Sequence, residues 1–379
     1  MNRDRKSFTV RTVKADECIH GLPTLSALED FDCGIDILIL AAGFEERVLA
    51  VPGLIASGDV GRIQKILVGR YRTNADDNSA RYCQLEPVLT SIGYEVVEFS
   101  ADDPYNVSYA IDYAVRELSR ESTRVLLDIS GASSTMIVAA MSALVKAAGH
   151  IALTVTYAEA EIYDCPAEID GESRVTIQRE SGVSSDPLYG SFTGHHHDHL
   201  PASVIAIPSM YTDRLEACLA HLNVGPITGS EDNLFWVRPA TSASQHTWRQ
   251  EHTRRAVEDL VRRLQGRDGE PGEEGGIRPD DMAVCDTLDY ADTVRLLISR
   301  IDTLSGRNIS IAHMGSKLQA VGVALAAAAR SEVSVLTARP ASFNAKSYSK
   351  GVGKLHQLHF VDLGSTLNSI ASIGSLRIP

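Results

Sequence analysis

No apolar run in this chain approaches the ~18 residues that a bilayer-spanning helix needs, so no membrane segment is expected. The start, Met1-Asn2-Arg3-Asp4-Arg5-Lys6, is polar and leads into an alternating segment rather than an apolar signal core, which makes the cytoplasm the expected location. The six cysteines, at positions 18, 33, 83, 165, 218 and 285, form no CxxC pair. A structural zinc site and a disulfide framework are therefore not expected. A basic excess is also missing: the formal net charge is -13, which argues against an extended nucleic-acid backbone as partner. A small anionic ligand stays open, because it needs only local amides and one or two cations. The GxxxxGK[ST] spacing is absent, so P-loop hydrolysis of ATP is not indicated. No firm set of nucleophile and base stands out, no cofactor is expected, and whether the chain is an enzyme is left open.

What is present is enough for two domains. The 379 residues are 44% hydrophobic and 22% charged, as in ordinary globular proteins. Asp36–Ala42 (DILILAA) is a continuous apolar run of the kind buried on both faces of a parallel sheet. From there strands and helices alternate. Strands are expected at Lys65–Val68, Glu95–Phe99, Arg124–Ile129 and Ile151–Tyr157, with helices ending near Ser57, Ser91, Leu118 and Ala148. The fold class is α/β, a doubly wound parallel sheet of Rossmann type. The second half replays this order. Its strands are Ser203–Pro208, Asn233–Val237, Met282–Cys285, Asn308–Ala312 and Glu332–Thr337, and a closing edge strand is read at His356–Leu363.

The agreement extends to single residues. Phe44-Glu45-Glu46-Arg47 and Tyr211-Thr212-Asp213-Arg214 both follow strand one; Arg70 and Arg238 both follow strand two. Tyr105 and Tyr290 open helix three, and Ser133-Ser134 and Ser316-Lys317 open helix four. Such agreement points to two tandem lobes related by internal duplication. The expected layout is an extension over 1–33 with a candidate edge strand at Phe8–Val13, a first lobe over 34–165, a linker over 166–201 and a second lobe over 202–379. The Gly-, Pro- and acid-rich segment 265–281 reads as a disordered excursion within the second lobe.

Ligands of open α/β sheets bind beyond the carboxyl ends of the strands. Two loops there carry the strongest signals. Ser130-Gly131-Ala132-Ser133-Ser134 sets glycine and hydroxyls between a buried strand and a helix N-terminus, which suits a phosphate oxygen. His313-Met314-Gly315-Ser316-Lys317 repeats that logic and adds a cation. Plain helix capping is the competing role for both. Arg70, with Tyr71 and Arg72, and Arg238 are candidates for phosphate contact or base stacking. Phe44, Tyr157 and Tyr211 are candidates to flank bases. Glu45 and Glu159 are candidate bases, with Lys317 as the group that would stabilise developing charge. The stretch Ser349–Lys354 has the small, basic character of a backbone anion cradle, and a flexible turn explains it equally well. The histidines at 195, 196, 197 and 199 read as a polar linker run rather than a metal site.

At the strand-four loops the sequence resembles the CARF family, whose strand ends in a turn of the type (D)-[ILS]-[TS]-G-G-[TS]-K-x-M before an Ala-rich helix. Asp128-Ile129-Ser130-Gly131-Ala132-Ser133-Ser134-Thr135-Met136 matches at most positions, with Ser134 where lysine is usual. Gly315-Ser316-Lys317 supplies the lysine without the preceding Asp and Thr. Two such lobes in one chain are similar to the SAVED arrangement. The resemblance implies a sensor of a cyclic nucleotide second messenger in bacterial antiviral defence. Its ligand would lie in a crevice between the lobes, bound by Phe44, Arg70, Gly131, Ser133, Ser134, Tyr157, Tyr211, Arg238, Gly315, Ser316 and Lys317. No attached effector is evident, which implies a separate effector protein as partner. The alternatives are a phosphodiester-processing enzyme like the ring nucleases, and an interaction scaffold without a ligand.

Overall fold

All six residues of Ile37–Ala42 are buried, as a strand with no polar alternation requires. In the computed structural model this strand is the middle one of the five parallel strands of the first sheet. The structure describes residues 21–31, 34–147, 149–163, 180–183, 188–224, 234–242, 246–264, 277, 279–345 and 348–373. The strand expected at Phe8–Val13 and most of 265–281 lie outside the described residues.

The chain begins with β1 (Ser26–Ala27), β2 (Ile37–Ala42), a 3-10 turn at Glu46–Leu49, α1 (Ala50–Ser57), β3 (Ile63–Arg70) and α2 (Ala75–Ile92). It continues with β4 (Gly93–Ser100), α3 (Pro104–Leu118), β5 (Ser122–Asp128), α4 (Ser134–Lys146), β6 (His150–Ala158) and β7 (Glu180–Ser181). Next come β8 (Leu188–Thr193), β9 (Ala202–Ile207), α5 (Asp213–His221), β10 (Leu234–Ala240), α6 (Thr247–Leu264), β11 (Met282–Asp286) and α7 (Tyr290–Thr303). The last are β12 (Asn308–His313), α8 (Lys317–Ala329), β13 (Ser334–Thr337), β14 (Ser342–Phe343), β15 (Leu355–Phe360) and α9 (Leu363–Ser372).

The first sheet has the order β1-β15-β6-β5-β2-β3-β4, and the second β11-β10-β9-β12-β13-β8. The five parallel strands of each, numbered within the lobe, run 3-2-1-4-5, the Rossmann order without its sixth strand. Antiparallel strands close one edge: β15 and then β1 beside β6, and β8 beside β13. The fold is thus α/β with two Rossmann-like lobes. In both, the fourth helix is buried nearly all round, over Thr135–Leu144 in α4 and Leu318–Ala327 in α8. Alanine, with no side-chain entropy to lose and little bulk, lets such a helix lie close against sheet and neighbouring helix.

The chain divides differently from the sequence-based layout. Among the described residues, those within 23–184 and 340–364 form one compact unit; those within 185–339, with 21–22 and 365–373, form the other. Residues 340–364, expected in the second lobe, therefore return to the first. There β15 pairs with β6 from Leu355↔Ala158 to Phe360↔Leu153. Part of the expected linker, Leu188–Thr193, is the edge strand of the second sheet. The polar run after it is held in place: Asn308 accepts from the His197 amide at 2.9 Å and donates to the His197 and Leu200 carbonyls.

Candidate functional site

In each lobe the switch point lies between strands one and four, so the loops after β2 and β5, or after β9 and β12, are neighbours. In the first lobe they are pressed together. A Cβ on Gly131 would sit 2.4 Å from the Ala41 carbonyl oxygen and 2.6 Å from Val48 Cγ1. A Cβ on Gly43 would sit 3.1 Å from the Gly131 oxygen. Glycine at 131 thus serves backbone packing. Asp128 and Ser130, both buried, brace the same corner: Asp128 Oδ1 accepts from the Ser130 amide at 3.0 Å and its hydroxyl at 2.5 Å. Ser130 Oγ in turn accepts from the Ala158 amide at 2.9 Å.

Ser133 caps α4, accepting from the Met136 amide at 3.2 Å, and its own amide donates to the Tyr71 hydroxyl at 2.6 Å. Burial pushes the Tyr71 phenol well above its ordinary value. Ser134 is the first helical residue and half-buried. Arg70 turns to Glu98, at 3.2 Å, and stacks 3.8 Å from the centre of the Tyr82 ring.

The remaining first-lobe candidates form a second network. Glu45 and Arg47 are a buried ion pair at 2.7 Å. Arg47 Nη1 also donates to the Tyr157 hydroxyl and to the Ala158 carbonyl, each at 3.1 Å. Burial raises the Tyr157 phenol, so it stays protonated. Glu159 meets His356 Nε2 at 2.7 Å.

The segment between β14 and β15 lies on these groups. The Ser349 hydroxyl donates to Glu45 Oε1 at 2.5 Å, and the Gly351 amide to Glu46 at 3.0 Å. Lys350 and Ile162 exchange backbone hydrogen bonds, and the Gly353 amide donates to the Glu159 carbonyl at 2.9 Å. Three of the amides read from sequence as an anion cradle, those of Lys350, Gly351 and Gly353, are thus engaged within the protein. Phe44 packs edge-on against Tyr348, 5.4 Å between ring centres, and lies 5.9 Å from Phe343. The Asn74 side chain donates to and accepts from the Phe343 backbone, pinning the segment at its other end.

The second-lobe loop is built differently. Ser316 makes a capping box with Gln319, and its hydroxyl also donates to the Thr287 carbonyl at 2.5 Å. Lys317 is the first helical residue, half-buried, in the turn where amides point outward. A Cβ on Gly315 would lie 2.8 Å from Ile207 Cγ2 and 2.5 Å from Gln319 Oε1, so this glycine too permits packing. Beneath it sit His313, 1% exposed, and Gln319, 0% exposed. Neither ring nitrogen of His313 and not the Gln319 amide nitrogen has a hydrogen-bond partner. Burial, aided by the nearby Arg214 charge, outweighs the opposing pull of the Ser316 backbone, which lies near the ring without making a well-formed hydrogen bond, and drives the His313 pKa from 6.5 down to about 3. Arg238 is half-buried on β10 and carries no ion pair among the described residues. Tyr211 forms a local turn, its amide donating to Ser209 Oγ at 3.2 Å.

His313 and Gln319 are the functional candidates that residue type alone does not mark. Among the described residues no group of three or more His, Cys, Asp or Glu is placed to hold a metal. No helix among them is long and apolar enough to cross a membrane.

No family model and no curated protein matches the chain. Among solved structures it is similar to the cytoplasmic domain of a prokaryotic cation chloride cotransporter. The identity is 7% and the TM-score 0.24, over 83% of this chain and 98% of the other.

Proposed function

We propose that the chain is a binding module for a phosphate-bearing nucleotide, a sensor of the kind that the CARF and SAVED resemblance implies, and that it signals through a separate effector protein. The phosphate site is assigned to the second lobe, at the His313–Lys317 loop, with the Lys317 ammonium and the first-turn amides of α8 as its ligands and Arg238 as a further candidate cation.

The observation that carries this reading is the set of three buried, unpartnered polar atoms on His313 and Gln319, directly under that loop. Orphaned polar groups are uncommon in folded proteins, each costing about 1–3 kcal/mol. A loop rearrangement on ligand binding that pairs them would draw on that stored cost, and differential affinity for the rearranged state would be the signal. In the first lobe most of the equivalent groups are engaged, Ser133 with Met136 and Tyr71, Glu45 with Arg47, and Glu159 with His356, and Arg47 Nε alone among these side chains is buried without a partner.

The test is thermal stabilisation of the full chain by a panel of linear and cyclic nucleotides. A ligand at 100 times its dissociation constant stabilises the folded state by about 2.7 kcal/mol, a clearly measurable shift. One nucleotide class should shift wild type and the Ser133→Ala/Ser134→Ala double variant, and fail on Lys317→Ala. No shift with any nucleotide would reject the sensor reading. Loss in the Ser133/Ser134 variant with retention in Lys317→Ala would move the site to the first lobe.

A further inference from the structure

Helix α3 has an ordinary buried face and an extraordinary exposed one. Pro104, Val107, Ile111, Ala114 and Val115 face the core at helical spacing. Opposite them stand Tyr105, Tyr109 and Tyr113, at i, i+4 and i+8, exposed by 74%, 69% and 56%. Tyr109 and Tyr113 stack on each other, 6.3 Å between ring centres and 25° between planes. An outward helix face normally carries charged and small polar residues.

The second lobe supplies the control. Asp103 and Asp289 are the N-caps of α3 and of its counterpart α7. Counting from the caps, Tyr105, Tyr109 and Tyr113 correspond to Ala291, Arg295 and Ser299. This count also separates Tyr105 from Tyr290, which sequence comparison had paired: Tyr290 is 2% exposed and belongs to the core. The same helix in the same fold therefore does without tyrosines. Tyrosine is enriched at protein interfaces, where it offers a large rigid surface at small entropic cost.

We propose that this face is a homodimer interface, in which α3 packs antiparallel against α3 of a second copy about a twofold axis at Tyr109. Self-complementarity selects this occupant. The tyrosine row is symmetric about Tyr109, so Tyr105 of one copy meets Tyr113 of the other. The charges at its ends are complementary under the same operation. Asp102 and Asp103 lie at the N-terminal end, and the Arg116 side chain, 72% exposed and already paired with Asp112 one turn earlier at 2.9 Å, at the C-terminal end, where an incoming acidic end would share it. Antiparallel pairing brings each acidic end to the other copy's arginine and opposes the helix dipoles favourably. Three tyrosines at these exposures contribute roughly 800 Å² over both copies. Flanking residues carry the total to about the 1,000 Å² at which specific interfaces begin.

Sedimentation velocity of the full chain, from about 1 to about 300 μM in about 0.15 M salt, tests this at concentrations suited to a small interface and with long-range repulsion screened. Wild type should shift from monomer to dimer as concentration rises. Tyr109→Arg sets like charges face to face on the axis and should weaken association at least about tenfold. Hydrogen exchange of its β2 and β5 amides, which lie in the same lobe as Tyr109, and its circular dichroism should stay unchanged. Val284→Arg, at an exposed apolar residue of the second lobe, should dimerise as wild type does. With the exposed Cys83 replaced by serine, Tyr109→Cys should form an interchain disulfide on oxidation beyond that of its parent. A wild type that stays monomeric throughout, or a dimer that Tyr109→Arg leaves intact, overturns the proposal.

Discussion

Replacing His313 with leucine should stabilise the second lobe at pH 7, although most substitutions at buried positions do the opposite. The ring is 1% exposed and neither nitrogen makes a well-formed hydrogen bond, so its weak interaction with the Ser316 backbone does not offset the desolvation cost of its polar atoms. Leucine is similar in volume and removes that cost, for an expected gain of about 1–3 kcal/mol, reduced by imperfect packing of the new shape. The pH dependence gives a second, independent magnitude. Folded His313 has a pKa of about 3 against an ordinary 6.5, so between those values the unfolded chain binds the extra proton. Its contribution to stability is complete above pH 6.5 and is lost as pH falls toward 3, at about 1.4 kcal/mol per pH unit. Lowering the pH from 6.5 to 5 should thus cost wild type about 2 kcal/mol that the leucine variant keeps.

The assay is selective because both tryptophans, Trp236 and Trp248, lie in the second unit. Urea unfolding followed by their emission reads that lobe alone. If His313→Leu lowers stability by more than about 1 kcal/mol at pH 7, or leaves the acid slope unchanged, the ring has a hydrogen-bonding role and the argument fails.

Other perturbations separate packing from electrostatics in the first lobe. Glu45→Gln leaves the buried Arg47 charge uncompensated and should cost about 3–5 kcal/mol, while Glu45→Gln with Arg47→Met should cost less than the single change. Hydrogen exchange of the β2 and β5 amides reads both. Gly131→Ala, whose Cβ meets the Ala41 carbonyl, should destabilise by about 1–3 kcal/mol. Gly315→Ala, which meets only side-chain ends within 3 Å, should cost less by the corresponding exchange of β9 and β12. Asp36→Asn should flatten acid unfolding below about pH 4. Burial raises the Asp36 carboxyl, but hydrogen bonds and charge from Arg124, with the Arg120 charge, outweigh it and hold its pKa below 3.8. Its stabilisation is present above that value and lost as pH falls through the folded pKa.

The local signals in the chain are strong where the structure depends on local rules. The apolar run at β2, the opening of α3 beside Tyr105 and the serine caps of α4 and α8 all stand where the sequence places them. What sequence could not decide was partner choice across long separations. Leu355–Phe360 reads as a strand, but only tertiary contact assigns it to β6, some 200 residues earlier, rather than to its own half. Strand β8 was hidden because Gly190 and Ser191 dilute its apolar character within a polar stretch. Side-chain direction was equally out of reach. Arg70 ends its strand beside the crevice, but the Tyr82 face and Glu98 offer its guanidinium a better site. His313 reads as a loop residue; that it lies inward follows from Gly315, where the missing Cβ leaves space 3.2 Å from the ring.

The two lobes share a strand order and a capped, buried fourth helix, and they differ in what has become of the switch point. In the first, Ser349, Gly351 and Phe343 from the chain's own return segment bind Glu45, Glu46 and Asn74. Two carboxylates and a side-chain amide are thereby paired within the protein. A site so satisfied has little free energy left to gain from a phosphate, and Glu45 and Glu46 would repel one. In the second, the loop keeps a lysine at the helix start and three polar atoms beneath it without partners. Duplicated folds retain buried polar groups without partners only where something compensates for their cost. If the compensation is ligand binding, His313→Leu should stabilise the lobe and abolish the nucleotide-induced thermal shift together. If it is not, the variant should gain stability and bind as wild type does.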